Sequence, residues 1–518
     1  MQRNDRILLQ ILLLWAAITT ILVAYVPLNG VEHDASGKSG LHRQLTPQAS
    51  PASEDHIIRT VEKQETKPKP PTPKVISIHS SKEKKATKKS ATTKKASPKK
   101  ASKKAANKKQ TSYHQPPVKY HTVFSTGCST FQDWQSYAFF YHAVQSGQEG
   151  HITRIASGCE GKTKNELEQI FQEEIAPMEP ERLHLHQTPD YGYEHDGETE
   201  YKYFNKPFGL RHWFENVLGY PENHADHDDS TVIVLDPDQI LMRPFTNDFT
   251  NSSETWRLPE KGRHKLKVEH GSPFAQQYQY NLLWMESVDQ NFVFQGKPSP
   301  VLNLSREEAA EYYHGMGPPY IATAKDMYAI VKTWSTIVPR VHENFPELMA
   351  EMYAFNSAAA HLRLRHTIAF SFMVSYFAAG GEGWPLVEKV DAKDVCHHFP
   401  KSEYPHVIHY CQRYGIGKWF MSKYKVRKDL MSCQAPLFKV PPVDVALKYT
   451  KSIYPNKEVN KLTTKQRKES AFMVCSIINA LNEAAVYYKD NHCDMATANY
   501  KYEFTFFKDM RTDEEKKK

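Results

Sequence analysis

Thr231-Val-Ile-Val-Leu-Asp236-Pro-Asp238-Gln-Ile-Leu-Met-Arg243-Pro-Phe is the stretch on which the reading of this chain turns. An unbroken apolar run of this length predicts a strand buried on both faces. Asp236 and Asp238 follow at its end, the edge at which open α/β sheets bind ligands. Carboxylate oxygens are hard donors suited to Mg²⁺ or Mn²⁺, and such an ion grips a diphosphate. The same Asp-x-Asp also reads as a plain turn or helix cap. The rest of the chain has to decide between the two.

Composition divides the 518 residues unevenly. Ile7 to Val26 is apolar apart from Gln10 and two threonines, and it is long enough to span a bilayer. Arg3 and Arg6 precede it and Glu32 and Asp34 follow, so the positive-inside rule leaves the N-terminus cytosolic and the remainder lumenal. A cleaved signal peptide is the rival reading; the apolar core is long for one, and no small-x-small site follows. Lys63 to Gln110 carries 17 Lys against 2 Glu, a net +15. The whole chain is +8, which leaves −7 for the remainder. A segment of this kind cannot bury enough apolar surface to order itself, and its like charges extend it. Its Lys-Lys-Ala-Ser repeats also suit nucleic acid, but a position behind a membrane span favours a lumenal tether and no nucleic-acid partner.

All seven cysteines (128, 159, 396, 411, 433, 475, 493) follow the tether, without zinc-site spacing. Two sequons, Asn251-Ser-Ser and Asn303-Leu-Ser, lie in the same region, and both features suit an oxidising, glycosylating compartment. The odd count leaves at least one thiol free or paired with another chain. The expected organisation is a tail and signal anchor (1–30), a disordered Lys/Pro/Ser-rich stem (31–117), a globular domain (118–495) and a charged tail (496–518).

Within the globular part, Tyr120 to Thr126 reads as a strand ending at Gly127-Cys128. Phe131 to Gln145 has helical spacing, with Trp134, Tyr137, Phe140, Tyr141 and Val144 on one stripe, and Ile152 to Ser157 is a second strand ending at Gly158-Cys159. Such a strand-helix-strand unit brings Cys128 and Cys159 to one sheet edge. A disulfide between them and a pair of reduced core cysteines both remain open. Further helices are expected at Phe208–Leu218, Lys325–Val338, Pro346–Leu362 and Lys468–Tyr488. The last carries Met473, Ile477, Leu481, Ala484 and Tyr488 on one core-packing face. Pro177–Gly197 and Leu258–Pro273 read as long loops.

Taken in order, these motifs resemble the plant and algal peptidyl O-glycosyltransferases: the hydroxyproline O-arabinosyltransferases and the peptidyl serine α-galactosyltransferases. His121 to Cys159 is similar to the opening block of the galactosyltransferase branch. Tyr203 to Phe214 (YFNKPFGLRHWF) resembles the Asn-Lys/Arg-Pro…Trp element, and Val234 to Phe245 the metal-binding stretch, whose Arg-Pro ending is closer to the arabinosyl branch. Pro318 to Trp334, Glu351 to Leu362, Val407 to Trp419 and Val440 to Ala485 match further blocks, so the resemblance covers His121 to Cys493. Branch-specific features are mixed.

The resemblance implies an α/β fold of the GT-A type, a doubly wound sheet binding a UDP-sugar with Mn²⁺ or Mg²⁺. Asp236 and Asp238 would hold the ion. His409 would add a ligand, although a core histidine with a satisfied ring is a serious rival. Gly415, Gly417 and Lys418 form a Gly-x-Gly-Lys segment suited to phosphates; no motif places His397, His398 or His406. Glu351 lies in an apolar helix, where a carboxylate is costly unless paired or functional. It would position the acceptor hydroxyl or stabilise an oxocarbenium-like transition state, or else pair with Arg363 or Arg365. Arg154 reads as a diphosphate contact or an ordinary salt bridge. Asn205 and Trp213 read as pocket walls or fold support.

The expectation is therefore a Golgi or ER type II membrane enzyme with a lumenal catalytic domain. It would move a sugar, arabinose favoured, onto a hydroxyl of a hydroxyproline- or serine-containing protein with retention. Galactosyl transfer to serine is the alternative. A catalytically silent glycan-binding or scaffold protein is a third reading, against which the Asp236/Asp238 pair counts.

Overall fold

The structure, a computed structural model, describes residues 118–193, 200–257, 265–397, 401–452 and 460–504. The expected membrane span and basic stem, His398 and the end of the charged tail lie outside these residues. The described part is a mixed α/β assembly around an eight-stranded sheet of order β3-β2-β1-β4-β8-β7-β9-β6. Its strands are β1 (Tyr120–Gly127), β2 (His151–Ser157), β3 (Leu183–Thr188), β4 (Thr231–Leu235), β6 (Trp256–Arg257), β7 (Phe274–Gln277), β8 (Met316–Thr323) and β9 (Thr367–Ala369). A short strand after β4, β5 (Gln239–Leu241), belongs to a three-stranded sheet with β10 (Met373–Val374) and β11 (Val407–His409).

The apolar run around β4 behaves as its composition predicts. Its side chains alternate between two cores: Ile233 and Leu235 pack with Trp134, Tyr137, Phe140, Ile477 and Leu481, and Val232 and Val234 with Leu210, Trp213, Trp334 and Phe355. Helices Thr130–Gln145 and Thr464–His492 thus cover one face. Helices Asn205–Asn216, Ala324–Asn344 and Ala350–His361 cover the other. Each fully buried apolar side chain in these layers contributes about 1.5–3 kcal/mol, so a strand apolar on both faces is fixed at the centre of the sheet.

The opening unit forms as expected. β1 pairs in parallel with β2 and with β4, placing Phe124 opposite both Arg154 and Leu235. Gly150 turns the chain into β2 at φ +78°, where a Cβ would stand 2.1 Å from the Tyr120 carbonyl oxygen, so only glycine fits. Cys128 and Cys159 are bonded, with Cα atoms 5.1 Å apart. Cys396–Cys475 and Cys433–Cys493 form two more disulfides, and Cys411 is the cysteine left over within the chain.

One segment read as a loop is not one. Leu183–Thr188, inside Pro177–Gly197, is β3 and pairs in parallel with β2 from Leu183–Ile152 to Thr188–Ser157. Its sequence, Leu-His-Leu-His-Gln-Thr, is too polar for a buried strand, but β3 is the sheet edge and its middle residues are only half buried. The C-terminal helix Thr464–His492 starts with a capping box, Thr463 with Gln466. Among the described residues it alone has the length and apolarity to cross a membrane, yet 78% of its apolar window is buried inside the protein. It is a core helix, and His142 of the opening helix reaches its Ala480 carbonyl at 2.8 Å.

Candidate active site

The Asp236-Pro237-Asp238 turn links β4 of the large sheet to β5 of the small one. Gln239, fully buried, fixes this turn: its side-chain carbonyl accepts from the Asp236 backbone N–H at 2.9 Å, and its amide donates to the Pro318 carbonyl at 3.0 Å. β5 then runs antiparallel to β11, with Gln239 opposite His409. The Tyr410 N–H donates to the Asp238 carbonyl at 3.0 Å, locking the register. Segments far apart in sequence are brought together by this one pairing. Asp236, Asp238 and His409 consequently offer ligand atoms that all lie within 4.8 Å of one another.

Two lysines complete the cluster. Lys206 Nζ is 2.7 Å from Asp236 Oδ1 and 3.4 Å from Glu351 Oε1. Lys423 Nζ is 2.5 Å from Asp238 Oδ2, and His409 Nε2 is 3.3 Å from Asp238 Oδ1. Burial alone would raise the Asp238 carboxyl, but Lys423 and His409 hold it well below the usual carboxylate range. Burial would lower His409, yet its neighbours Cys411 and Asp238 raise it well above the ordinary histidine value. Glu351 behaves differently. Burial pushes it up to about 7 against the pull of Lys206, with Asp236 adding to the rise. Its backbone is clamped on both sides, the N–H donating to the Tyr201 hydroxyl at 2.9 Å and the carbonyl accepting from Trp334 Nε1 at 2.9 Å. Its Oε1 is buried without a hydrogen bond.

Three carboxylates therefore share two lysines and one imidazole, and acceptor capacity is left over. Two aspartate oxygens on a fixed turn plus an imidazole suit Mn²⁺ or Mg²⁺. The residues present fit such an ion.

The other expected site residues fall elsewhere or take other partners. Glu351 pairs with Lys206 rather than with Arg363 or Arg365; Arg365 is bound to Glu308 at 2.6 Å. Arg154 is fully buried, donating at 2.9 Å to both Asp133 and Thr126 Oγ1, which is the salt-bridge reading. Asn205 braces the loop before its helix, accepting from the Tyr191 N–H at 2.7 Å and donating to Asp190 at 3.0 Å. Gly417 and Lys418 form the two-residue turn between β12 (Arg413–Ile416) and β13 (Trp419–Ser422). Gly417 stands at φ +56° against the Tyr449 ring, and Lys418 lies over the Trp419 and Phe504 rings, none of which belongs to the acidic cluster. The lysine that does reach the cluster is Lys423, just past β13. No motif marked it. Lys206, by contrast, sat in view inside the Asn-Lys-Pro block.

Comparison with known proteins agrees with the motifs. A peptidyl serine alpha-galactosyltransferase of Arabidopsis thaliana is 26% identical over 358 residues, 65% of this chain and 36% of that protein. The two chains are similar. A protein of the same name from Chlamydomonas reinhardtii is 30% identical over 125 residues, 24% of this chain and 14% of that one. These similarities support the plant and algal protein O-glycosyltransferase family that the motifs resemble. The chain spans about a third or less of the length of these relatives. No family model matches it. Among solved structures, the galactosyltransferase LgtC with donor and acceptor sugar analogues is 12% identical, covering 56% of this chain and 87% of its own at a TM-score of 0.30. The glycosyltransferase GlyE of Streptococcus pneumoniae is 11% identical, covering 73% and 65% at 0.28. Likenesses of that size carry no assignment.

Proposed function

We propose that this protein is a metal-dependent glycosyltransferase of the GT-A type that moves a sugar, with retention, from a UDP-sugar to a hydroxyl on a protein. The observation that carries the reading is the convergence of Asp236, Asp238 and His409 at the carboxyl end of a central strand. The names of the two relatives support serine as acceptor and galactose as donor. Arabinose onto hydroxyproline, the second reading, rests on the Arg243-Pro244 ending of the motif. Arg243 is engaged with Glu254 at 2.7 Å, in a separate ion network.

The chemistry follows from the cluster. Asp236, Asp238 and His409 would hold the divalent ion, which when bound neutralises the diphosphate as the glycosidic bond breaks. Lys206 keeps Asp236 and Glu351 a fixed distance apart. Glu351, whose carboxyl is balanced near neutrality, would orient the acceptor hydroxyl or offset positive charge at the sugar carbon. Asp238, His409 and Glu351 are buried and Asp236, Lys206 and Lys423 half-buried, which limits the access of bulk water that would compete with the acceptor.

The apolar span at 7–26 and the stem would make this a single-pass type II protein of the Golgi or ER membrane with a lumenal catalytic domain. Three disulfides and the exposed sequon residues Asn251 and Asn303 support an oxidising, glycosylating compartment. The test is turnover of UDP-galactose, UDP-arabinofuranose and UDP-glucose by the full-length protein with Mn²⁺, using serine and hydroxyproline peptides. At least one donor should be consumed, and excess chelator should stop it. No turnover with any donor, or turnover indifferent to chelator, would overturn the reading.

A further inference from the structure

The two lysines of the cluster are not equivalent. Lys206 is held between two carboxylates and lies within a helix packed on the sheet. Lys423 touches a single carboxylate and stands on the short turn Lys423–Lys425 that follows β13. Its neighbour Tyr424 is 61% exposed, and the Lys423 ammonium lies 5.2 Å from that ring. The two are similarly exposed, 12% and 17%, but one is held in a helix by two carboxylates and the other on a short turn by one. Lys423 also occupies Asp238 Oδ2 at 2.5 Å, while His409 faces Oδ1. An ammonium held this closely competes with a divalent cation for that oxygen, and the two positive charges repel. An ammonium on a flexible stem can, however, move to a phosphate oxygen a few ångströms away.

We infer that Lys423 is an exchange lysine: it neutralises Asp238 until a nucleoside diphosphate arrives, then transfers to the diphosphate and releases Asp238 to the divalent cation. Breaking the Lys423–Asp238 pair is then a cost met once, by whichever ligand binds first, so that cation and nucleotide each tighten the other's binding by the same factor. This rests on the metal reading of Asp236, Asp238 and His409. It adds a residue that no motif marked, and a share of the cation–nucleotide coupling that depends on Lys423 beyond the share that coordination of the diphosphate by the ion supplies.

The test uses full-length protein, Mn²⁺ and UDP without a sugar, so no turnover enters the measurement. Mn²⁺ binding is followed by electron paramagnetic resonance and by calorimetry, with and without saturating UDP, in the wild type, Lys423→Met, Lys423→Arg and Asp238→Asn. Lys423→Met should bind Mn²⁺ alone about tenfold more tightly than wild type, and the tightening produced by UDP should shrink by about the same factor. Lys423→Arg should keep the wild-type coupling. Should Lys423→Met not fold, as judged by its thermal melt, Lys423→Gln carries the same expectation. If Lys423→Met binds Mn²⁺ no more tightly than wild type, or keeps the full UDP effect, while Asp238→Asn has lost Mn²⁺, the exchange role is wrong and the metal reading stands. If Asp238→Asn binds Mn²⁺ as the wild type does, the metal reading fails and the exchange role fails with it.

Discussion

Asp238 and Glu254 are both buried carboxylates held by a histidine and a cation, and the two histidines, His409 and His406, are three positions apart. The two surroundings differ in how completely they are satisfied. Glu254 stands alone and accepts from Arg243 at 2.7 Å, from Ser371 Oγ at 2.5 Å and has His406 Nε2 at 3.1 Å. Arg243 is further held by the Tyr404 carbonyl, and the His406 ring stacks on Phe245 at 4.4 Å. Both Glu254 oxygens have partners, Oε1 in Arg243 and His406 and Oε2 in Ser371. Around Asp238, three carboxylates share two lysines and one imidazole, and Glu351 Oε1 has no hydrogen bond. A saturated network fixes a fold; an unsaturated one, in which charge is unevenly shared, is where a ligand has something to complete.

Each substitution below tests that contrast. The largest effect is expected from Asp238→Asn, which should lower metal-dependent turnover roughly a thousandfold or more while the melting temperature stays within a few degrees. Steady-state rates at saturating Mn²⁺ and calorimetric melts check both halves. Glu254→Ala should do the reverse, costing about 3–5 kcal/mol of stability because it strands Arg243 and His406 in the interior. Urea unfolding measures the loss, and Mn²⁺ affinity of the folded fraction should be unchanged.

Glu254 also predicts an acid limb. Burial would raise its carboxyl, but the bonds from His406 and Ser371 and the charge of Arg243 bring it down to about 2. Its folded value lies below its unfolded one, so its stabilisation is complete above the ordinary glutamate value of 4.5 and is lost as pH falls towards 2. Stability should drop over that window in the wild type, and the drop should be shallower in Glu254→Gln.

Glu351→Gln should reduce transfer about a hundredfold without loss of stability. Its folded value, about 7, is raised, so its contribution is complete below the ordinary 4.5 and declines as pH rises through 7. At pH 8 the glutamine variant should be as stable as wild type or more so, whereas a destabilised variant would place Glu351 with Glu254 as a structural group. The smallest pair separates the histidines. His409→Ala should weaken Mn²⁺ binding about tenfold with little change in melting, and His406→Ala should cost about 1–3 kcal/mol with Mn²⁺ affinity intact. Exchanged outcomes would dissolve the distinction between the clusters.

Much of this was legible in the residues, for identifiable reasons. Val-Ile-Val-Leu ahead of Asp236 announces a strand buried on both faces because such strands need apolar side chains on both sides. The opening strand-helix-strand unit, the four long helices and the Gly-Cys strand ends are local patterns, and they appear within a few residues of their expected places. Leu183–Thr188 was missed because an edge strand tolerates polar residues that a central one does not. Lys423 was invisible because nothing in its own neighbourhood distinguishes it from the solvated lysines around it.

What the sequence by itself determined is therefore whatever depends on neighbours in the chain: the elements, the apolar faces that stack them, and the acidic turn at the end of β4. Which charges meet was decided only by the tertiary structure. The pairing of β5 with β11 sets His409 rather than His406 beside Asp238, and the packing of Asn205–Asn216 against the sheet carries Lys206 between Asp236 and Glu351. Coulomb forces act through space with no regard for sequence distance. A lysine 185 positions away can thus govern an aspartate as firmly as an adjacent residue.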